Sequence, residues 1–428
     1  MKTNLLLTKR SFLKFISLLS AGLIFNLSSK EIKFKLSNIK KNIEEDLIKW
    51  DSIKLHRTGT KGDNETAYWL ADEINKCGLT AEVDTFNFIK RTPGKCEVKN
   101  GTHTAIGLPM FDGGSTSSEG IKGTHGSLNT HDVIAITKYG SSTNDESSIN
   151  LNEAREKNKH PAIVAIADVF PNIPGLAVLN AESYRKPYGP PVLQVATQEG
   201  EWLMKLKADE QISVSVELID EKSDATNVQT NIEGKDQSLS PLVVMTPKSG
   251  WWTCTSERGG GITIWLNAMR YLSKNQPNRN VIFTANTGHE LSHLGLDHFL
   301  EKNSSLVKDA FSWVHLGANF AAKEGQVLWQ ASTKEYMEKG FEQLKALDLD
   351  EIISWPVSSR PLGEARNIYD GGGQFISLLG SNPLFHHPED IWPDSIDMEK
   401  LIKLNSFMTN MIIAVSYTHL TLPTKRIV

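Results

Sequence analysis

From Leu242 onward, short apolar runs alternate with stretches of helical period, and this alternation limits the fold more than any other feature. Leu242–Met245 reads as a buried strand, Gly261–Leu272 as a helix, Asn280–Ala285 as a second strand, and a further helix begins near Leu291. Strands separated by helices pair in parallel, because a parallel connection must cross over the sheet. Such a sheet is covered by helices on both faces. The expected architecture is a three-layer α/β/α sandwich around a mostly parallel sheet. In open sheets of this kind, functional side chains gather just beyond the strand ends.

Upstream, the stretch from Ile39 to Cys77 is helical in pattern. Tyr68, Trp69, Ala71, Ile74 and Cys77 fall near helical spacing, and Gly78 follows as a stop signal. Leu79–Phe88 then alternates as a strand does. Between Cys96 and Ser223 the texture changes: turn-rich stretches separate short apolar strands at Val133–Thr137, Ala162–Ala167, Val192–Ala196 and Ile212–Leu218. The expected division is a discontinuous α/β domain of residues 39–95 and 224–414, interrupted by a β-rich insert of residues 96–223.

Both ends are set aside from fold reasoning. The first thirty residues open with Lys2, Lys9 and Arg10, and carry an apolar stretch from about Phe15 to Leu27. That stretch is short for a bilayer span and reads as a signal-peptide core over residues 1–30, with an uncleaved membrane anchor as the alternative. Thr8–Lys14 resembles a twin-arginine export signal with lysine in place of the first arginine; general secretion accepts the segment too. The expected location is the bacterial periplasm or the exterior. At the other end, Val415–Lys425 reads as the translation of a sequencing-library adapter, so Val415–Val428 is treated as foreign and His419 is not taken as a ligand.

A net charge of −4 and a pI near 6.3 recommend neither nucleic acid nor an anionic membrane as a partner. Cys77, Cys96 and Cys254 are too scattered for a zinc ribbon or a disulfide framework.

The residues able to carry chemistry cluster near the expected strand ends. Thr246-Pro247-Lys248-Ser249 follows the first strand, and Glu257 stands four residues before Gly261. Gly288-His289-Glu290-Leu291 follows the second strand, with Gly295-Leu296 behind it. Near the C-terminus comes Phe385-His386-His387-Pro388-Glu389-Asp390. Taken alone, His289-Glu290-Leu291-Ser292-His293 satisfies the H-E-x-x-H pattern, in which two histidines on one helical turn bind zinc and the glutamate is the base. That zincin reading makes His293 an alternative metal ligand. Trp251 and Trp252 either wall a substrate pocket or pack core. Arg258 and Arg366 either grip a substrate carboxylate or form structural salt bridges.

These motifs, together with His56–Gly62 and Asn227–Gly234, resemble the M28 family of aminopeptidase-type metallopeptidases. Residues 96–223 resemble an inserted protease-associated (PA) domain: Glu153–Lys159 matches its helix, Pro190–Val192 its strand and Gly200–Leu206 the helix that follows. The resemblance implies metal ligands at Glu257, Glu290 and His386, with His289 in the place of the general base. It also exposes losses. Pro247 stands where the family has its first histidine, Ser249 where it has an aspartate, and Gly317 near another ligand position. What remains suits one zinc ion rather than two. The implied function is a single-zinc hydrolase acting on a small peptide or amide, of aminopeptidase or amidase type. The alternatives are a catalytically inactive relative that binds peptides or partners, the zincin-type protease, and a glutaminyl-cyclase-like acyl transferase.

Overall fold

The computed structural model describes residues 36–418 apart from 102, 170–172 and 350. The signal segment and residues 419–428 therefore lie outside the described residues. Thirteen strands join in one hydrogen-bonded sheet. They are β1 (Glu82–Asn100), β2 (His103–Pro109), β3 (Ile121–Gly126), β4 (Ile134–Tyr139), β5 (Ile163–Ala167), β6 (Val192–Val195) and β7 (Gln211–Ile232). After these come β8 (Leu242–Pro247), β9 (Val281–Asn286), β10 (Ser312–Leu316), β11 (Val327–Ala331), β12 (Ile352–Ser354) and β13 (Phe375–Gly380). The longer helices, in chain order, are α1 (Leu36–Ile53), α2 (Lys61–Lys76), α3 (Glu146–Lys157), α4 (Gly260–Leu272), α5 (Leu294–Lys302), α6 (Lys334–Lys345) and α7 (Met398–Tyr417). None of the described helices is long and apolar enough to cross a membrane.

The alternation read from Leu242 onward becomes a parallel core: β9–β8–β10–β13 pair in parallel, with β7 and β11 antiparallel at its flanks. Every residue of β8 is buried, as a central strand covered on both faces requires. Helix α4 lies on one face, with Trp265 edge-on to Phe283 of β9 at 5.5 Å. Glycine is needed where α4 begins, because a Cβ at Gly261 would stand 2.6 Å from Thr246 Oγ1 and 2.9 Å from the Leu316 carbonyl. The helical stretch from Ile39 to Cys77 is two helices, broken after Lys54 (φ 72°) by a loop that carries His56 and Thr58. Thr60 caps the second, its hydroxyl accepting from Asp63 N.

Strands β1 and β7 pair antiparallel along nearly their whole length, from Glu82↔Gln229 to Lys99↔Ser213. Their far ends close a ring of seven strands, β1–β2–β6–β5–β4–β3–β7, around Val98, Val164, Leu193 and Val214. Closure of this kind leaves no open sheet edge. Cys96 and Ser223, expected to bound the insert, fall inside β1 and β7 rather than in linkers. At the C-terminus, α7 runs to Tyr417, with Val415 and Ser416 buried and Ser416 O accepting from Asn278 N at 3.0 Å. The three cysteines are free.

Candidate functional site

Two turns at strand ends and one late loop build the site. The first turn follows β8. Cys254 adopts a left-handed conformation (φ 51°), and the wide turn Thr255–Gly259 leads into α4. Asp390 fixes this turn from the late loop: its two oxygens accept from Ser256 N (2.7 Å) and Glu257 N (3.0 Å). Asp390 thereby brings the loop carrying His386 against Glu257, and His386 Nε2 lies 3.7 Å from Glu257 Oε1. Two of the three expected ligands do meet.

The third does not join them. Glu290 Oε1 accepts from Thr58 N and Thr58 Oγ1, each at 2.7 Å, and Oε2 accepts from Ser249 Oγ at 2.7 Å. Thr58 is held in turn by a buried network: its Oγ1 receives Gly288 N at 2.9 Å and lies 3.3 Å from Thr287 Oγ1, which bonds both Asp63 oxygens at 2.9 Å. Lys248, fully buried, is ion-paired with Asp63. Ser249, at one of the departed positions, and Thr58 thus tie up the carboxylate that was kept.

Arg258 enters the centre instead. Its side chain is fully buried, Nε donates to Ser249 O (2.8 Å), and Nη2 stands 2.6 Å from Glu257 Oε1. Apart from a thiol contact from Cys254 to Glu257 and backbone contacts from Val178 and Ser141 to His386, the Glu257 oxygens, the His386 nitrogens and Arg258 Nη1 and Nη2 have no well-formed hydrogen bond. Burial pushes the Glu257 carboxyl up to about 7 against the pull of Arg258. Burial, then Arg258, drives His386 and His315 down to about 3. His289 and His293 are held well below the usual imidazole range, again by burial first, with Arg258 among the charges that add to it.

The second turn follows β9. His289–Leu291 form a single tight helical turn, Ser292 (φ 61°) and His293 (φ 59°) are left-handed, and α5 begins only at Leu294. The two histidines therefore do not share an α-helical turn, as the zincin reading requires. Their rings stack at 4.9 Å, and both His293 nitrogens are engaged: Nδ1 with Asn367 Oδ1 (2.7 Å) and Nε2 with Arg366 Nη2 (3.4 Å). Gly295 is required because a Cβ there would meet Thr287 O at 2.3 Å. His289 Nδ1 faces Glu364 Oε1 at 3.4 Å. Glu364 is fully buried, and burial raises its carboxyl to about 8. No pattern in the sequence marked Glu364. Glu364 and Thr58 each arrive from a loop far along the chain, and only the quoted run around Thr58 hinted at a role.

A cleft of about 490 Å³ opens above these groups, lined by His289, His293, His315 and His386. Ser141–Asp145, Asn180 and Glu182 of the insert line it, as do residues 360–363 and Arg366. Arg366 pairs with Glu182 of the insert at 2.6 Å. Of the four candidate substrate contacts Arg366 lines the cleft, and Trp251, Trp252 and Arg258 do not. Trp251 is buried against Phe111 of the insert, rings 4.8 Å apart. Trp252 donates from Nε1 to His386 O at 2.9 Å, and Arg258 lies beneath the floor.

A catalytic zinc site needs three protein ligands and an open position. Among the described residues, no three His, Cys, Asp or Glu side chains stand together in that way. The donor set at Glu257 and His386 lacks a free third ligand and already faces a guanidinium cation. These residues do not fit the ion that the resemblance implies.

No protein-family model and no curated protein sequence matches the chain. Solved structures do. The zinc aminopeptidase BSAP of Bacillus subtilis superposes with a TM-score of 0.73 at 14% identity, covering 91% of this chain and 97% of that one. The Peptidase M28 precursor of Shewanella amazonensis SB2B gives 0.66 at 12% identity, over 90% and 98%. The aminopeptidase of Aneurinibacillus sp. strain AM-1 gives 0.63 at 15%, over 89% and 93%. The fold is that of the M28-type zinc aminopeptidases.

Proposed function

We propose that this chain binds a peptide or related amide in the histidine-lined cleft, as a metal-independent protein on an aminopeptidase fold. One observation carries the reading: both oxygens of Glu290 are occupied by hydrogen bonds from Thr58 and Ser249. A carboxylate so saturated gains little by turning to an ion, since each bond to a charged group contributes about 1.5–3 kcal/mol. The peptide class follows from the likeness to aminopeptidases and from a floor of neutral imidazoles, which hydrogen-bond amides without demanding charge. The insert, read as a PA-like domain, supplies part of the cleft's lining. The N-terminal signal delivers the protein to the periplasm or exterior.

The test is metal analysis of the purified chain, with calorimetric titration of a short-peptide panel with and without chelator. No stoichiometric zinc and chelator-independent peptide binding are expected. One zinc per chain, with peptide hydrolysis lost on chelation, would sink the proposal.

That outcome would establish the second reading, a single-zinc hydrolase with His289 as base. It is favoured by Glu257 Oε1 and His386 Nε2 standing 3.7 Å apart, and it requires Arg258 to leave the centre.

A further inference from the structure

We infer that Arg366 anchors a carboxylate of the ligand, and that the Glu182 side chain of the insert keeps that place until the ligand's carboxylate takes it. The inference rests on the peptide-binding reading above and narrows the ligand to a peptide that brings a carboxylate.

Three observations support it. First, the two arginines that line the cleft are used differently. Arg360 grips Asp370 with two nitrogens, Nε at 2.9 Å from Oδ1 and Nη2 at 2.5 Å from Oδ2. That is the two-pronged contact a guanidinium and a carboxylate prefer. Arg366 meets Glu182 through Nη2 alone, at 2.6 Å, and its Nε and Nη1 make no hydrogen bond among the described residues. Both partners are partly exposed, and such a pair holds weakly. A ligand carboxylate that takes two nitrogens displaces it.

Second, Arg366 is held independently of Glu182. Asn367 Nδ2 donates to Asp297 at 2.7 Å, so its Oδ1 is left to accept from His293 Nδ1, also at 2.7 Å. This keeps the His293 proton on Nδ1 and leaves the Nε2 lone pair for Arg366 Nη2, at 3.4 Å. The guanidinium therefore stays when Glu182 leaves. Third, Glu182 can leave without moving the chain. Ala181 N donates to Glu290 O at 2.8 Å, and Ser183 N donates to Asp112 Oδ2 at 3.0 Å. The backbone on either side is pinned, and only the side chain must turn.

The test is calorimetric titration, in chelator and at low salt, with trialanine, its C-terminal amide, and the amides of alanyl-glutamyl-alanine and alanyl-glutaminyl-alanine. Wild type, Glu182→Gln and Arg366→Gln are compared, with thermal melts to confirm folding. Wild type is expected to favour a carboxylate form over its uncharged counterpart about tenfold, as a charge-assisted hydrogen bond gives. A preference for trialanine over its amide places the C-terminus on Arg366. A preference for the glutamyl over the glutaminyl amide places an acidic side chain there, and either supports the inference. Glu182→Gln is expected to widen the preference severalfold, and Arg366→Gln to abolish it. Peptides that bind wild type with no preference in either pair overturn the inference, as does a preference that survives in folded Arg366→Gln. Should Arg366→Gln not fold, Glu182→Gln decides: a preference no wider than that of wild type overturns the inference. If no peptide binds wild type or Glu182→Gln, the peptide-binding reading itself falls, so the two failures are distinct.

Discussion

Two buried arginines show how differently one kind of ion pair is used. In the barrel, Arg155 Nη2 reaches Asp112 at both Oδ1 (2.8 Å) and the carbonyl (3.0 Å), and Nη1 reaches Asn152 (2.9 Å). The other Asp112 oxygen accepts from Ser183 N at 3.0 Å, and Tyr188 stacks on the guanidinium at 4.2 Å. In the α/β body, Arg258 is just as buried, yet its terminal nitrogens and the carboxylate facing it lack well-formed hydrogen bonds. Of the first pair only Arg155 Nε lacks a partner, and the pair serves structure. The second keeps bonding capacity in reserve, as buried polar groups at functional sites do.

Acid should separate the two regions most. Burial holds His56, His315 and His386 neutral, with values near 3, and all three belong to the α/β body. Between about pH 3 and 6.5 the unfolded chain binds more protons there, so stability is complete above about 6.5 and is lost as pH falls towards 3. Glu257 and Glu364 act in the opposite sense, losing stability as pH rises from about 4.5 through 7 and 8. Stability is expected to peak near about pH 6.5. Below it, amide exchange followed by mass spectrometry should show β8, β9 and β10 opening before β4, β5 and β6; the reverse order would break the comparison.

Arg155→Met comes next. Stranding Asp112 is expected to cost about 3–5 kcal/mol in urea unfolding. A smaller loss would mean that the two arginines are less different than their bonding suggests. Thr58→Ala and Ser249→Ala each remove a hydroxyl from Glu290 and should cost about 1.5–3 kcal/mol. Trp252→Phe, which loses the bond to His386 O along with part of the ring's packing, should cost about 1 kcal/mol for the bond.

The layered fold was legible because periodicity and strand–helix alternation are local, and the strands read at Leu242–Met245 and Asn280–Ala285 stand within two residues of β8 and β9. The meeting of Glu257 with His386 was legible too, since both follow quoted motifs. What escaped notice depended on side chains choosing partners across the sheet. Glu290 sits in a ligand's position, but its partner Thr58 lies 232 residues upstream. Arg258 reads either as a grip on substrate or as half of a salt bridge, because nothing in the pattern Glu257-Arg258-Gly259 says which way a long side chain turns; the structure gives the salt bridge. The H-E-x-x-H spacing misled for a related reason: it presumes a continuous helix, and Ser292 and His293 take left-handed conformations that end it.

The paired ribbon of β1 and β7 reaches beyond the barrel it closes. Its α/β end, Val228 to Ile232 of β7, is hydrogen-bonded to β9, and the end of β9 runs into the turn bearing His289 and Glu290. A tether of loose residues would absorb any swing of the barrel. A continuous ribbon is instead a lever: a tilt of the barrel would be carried along β7 into β9, the strand that leads to His289, through the backbone itself.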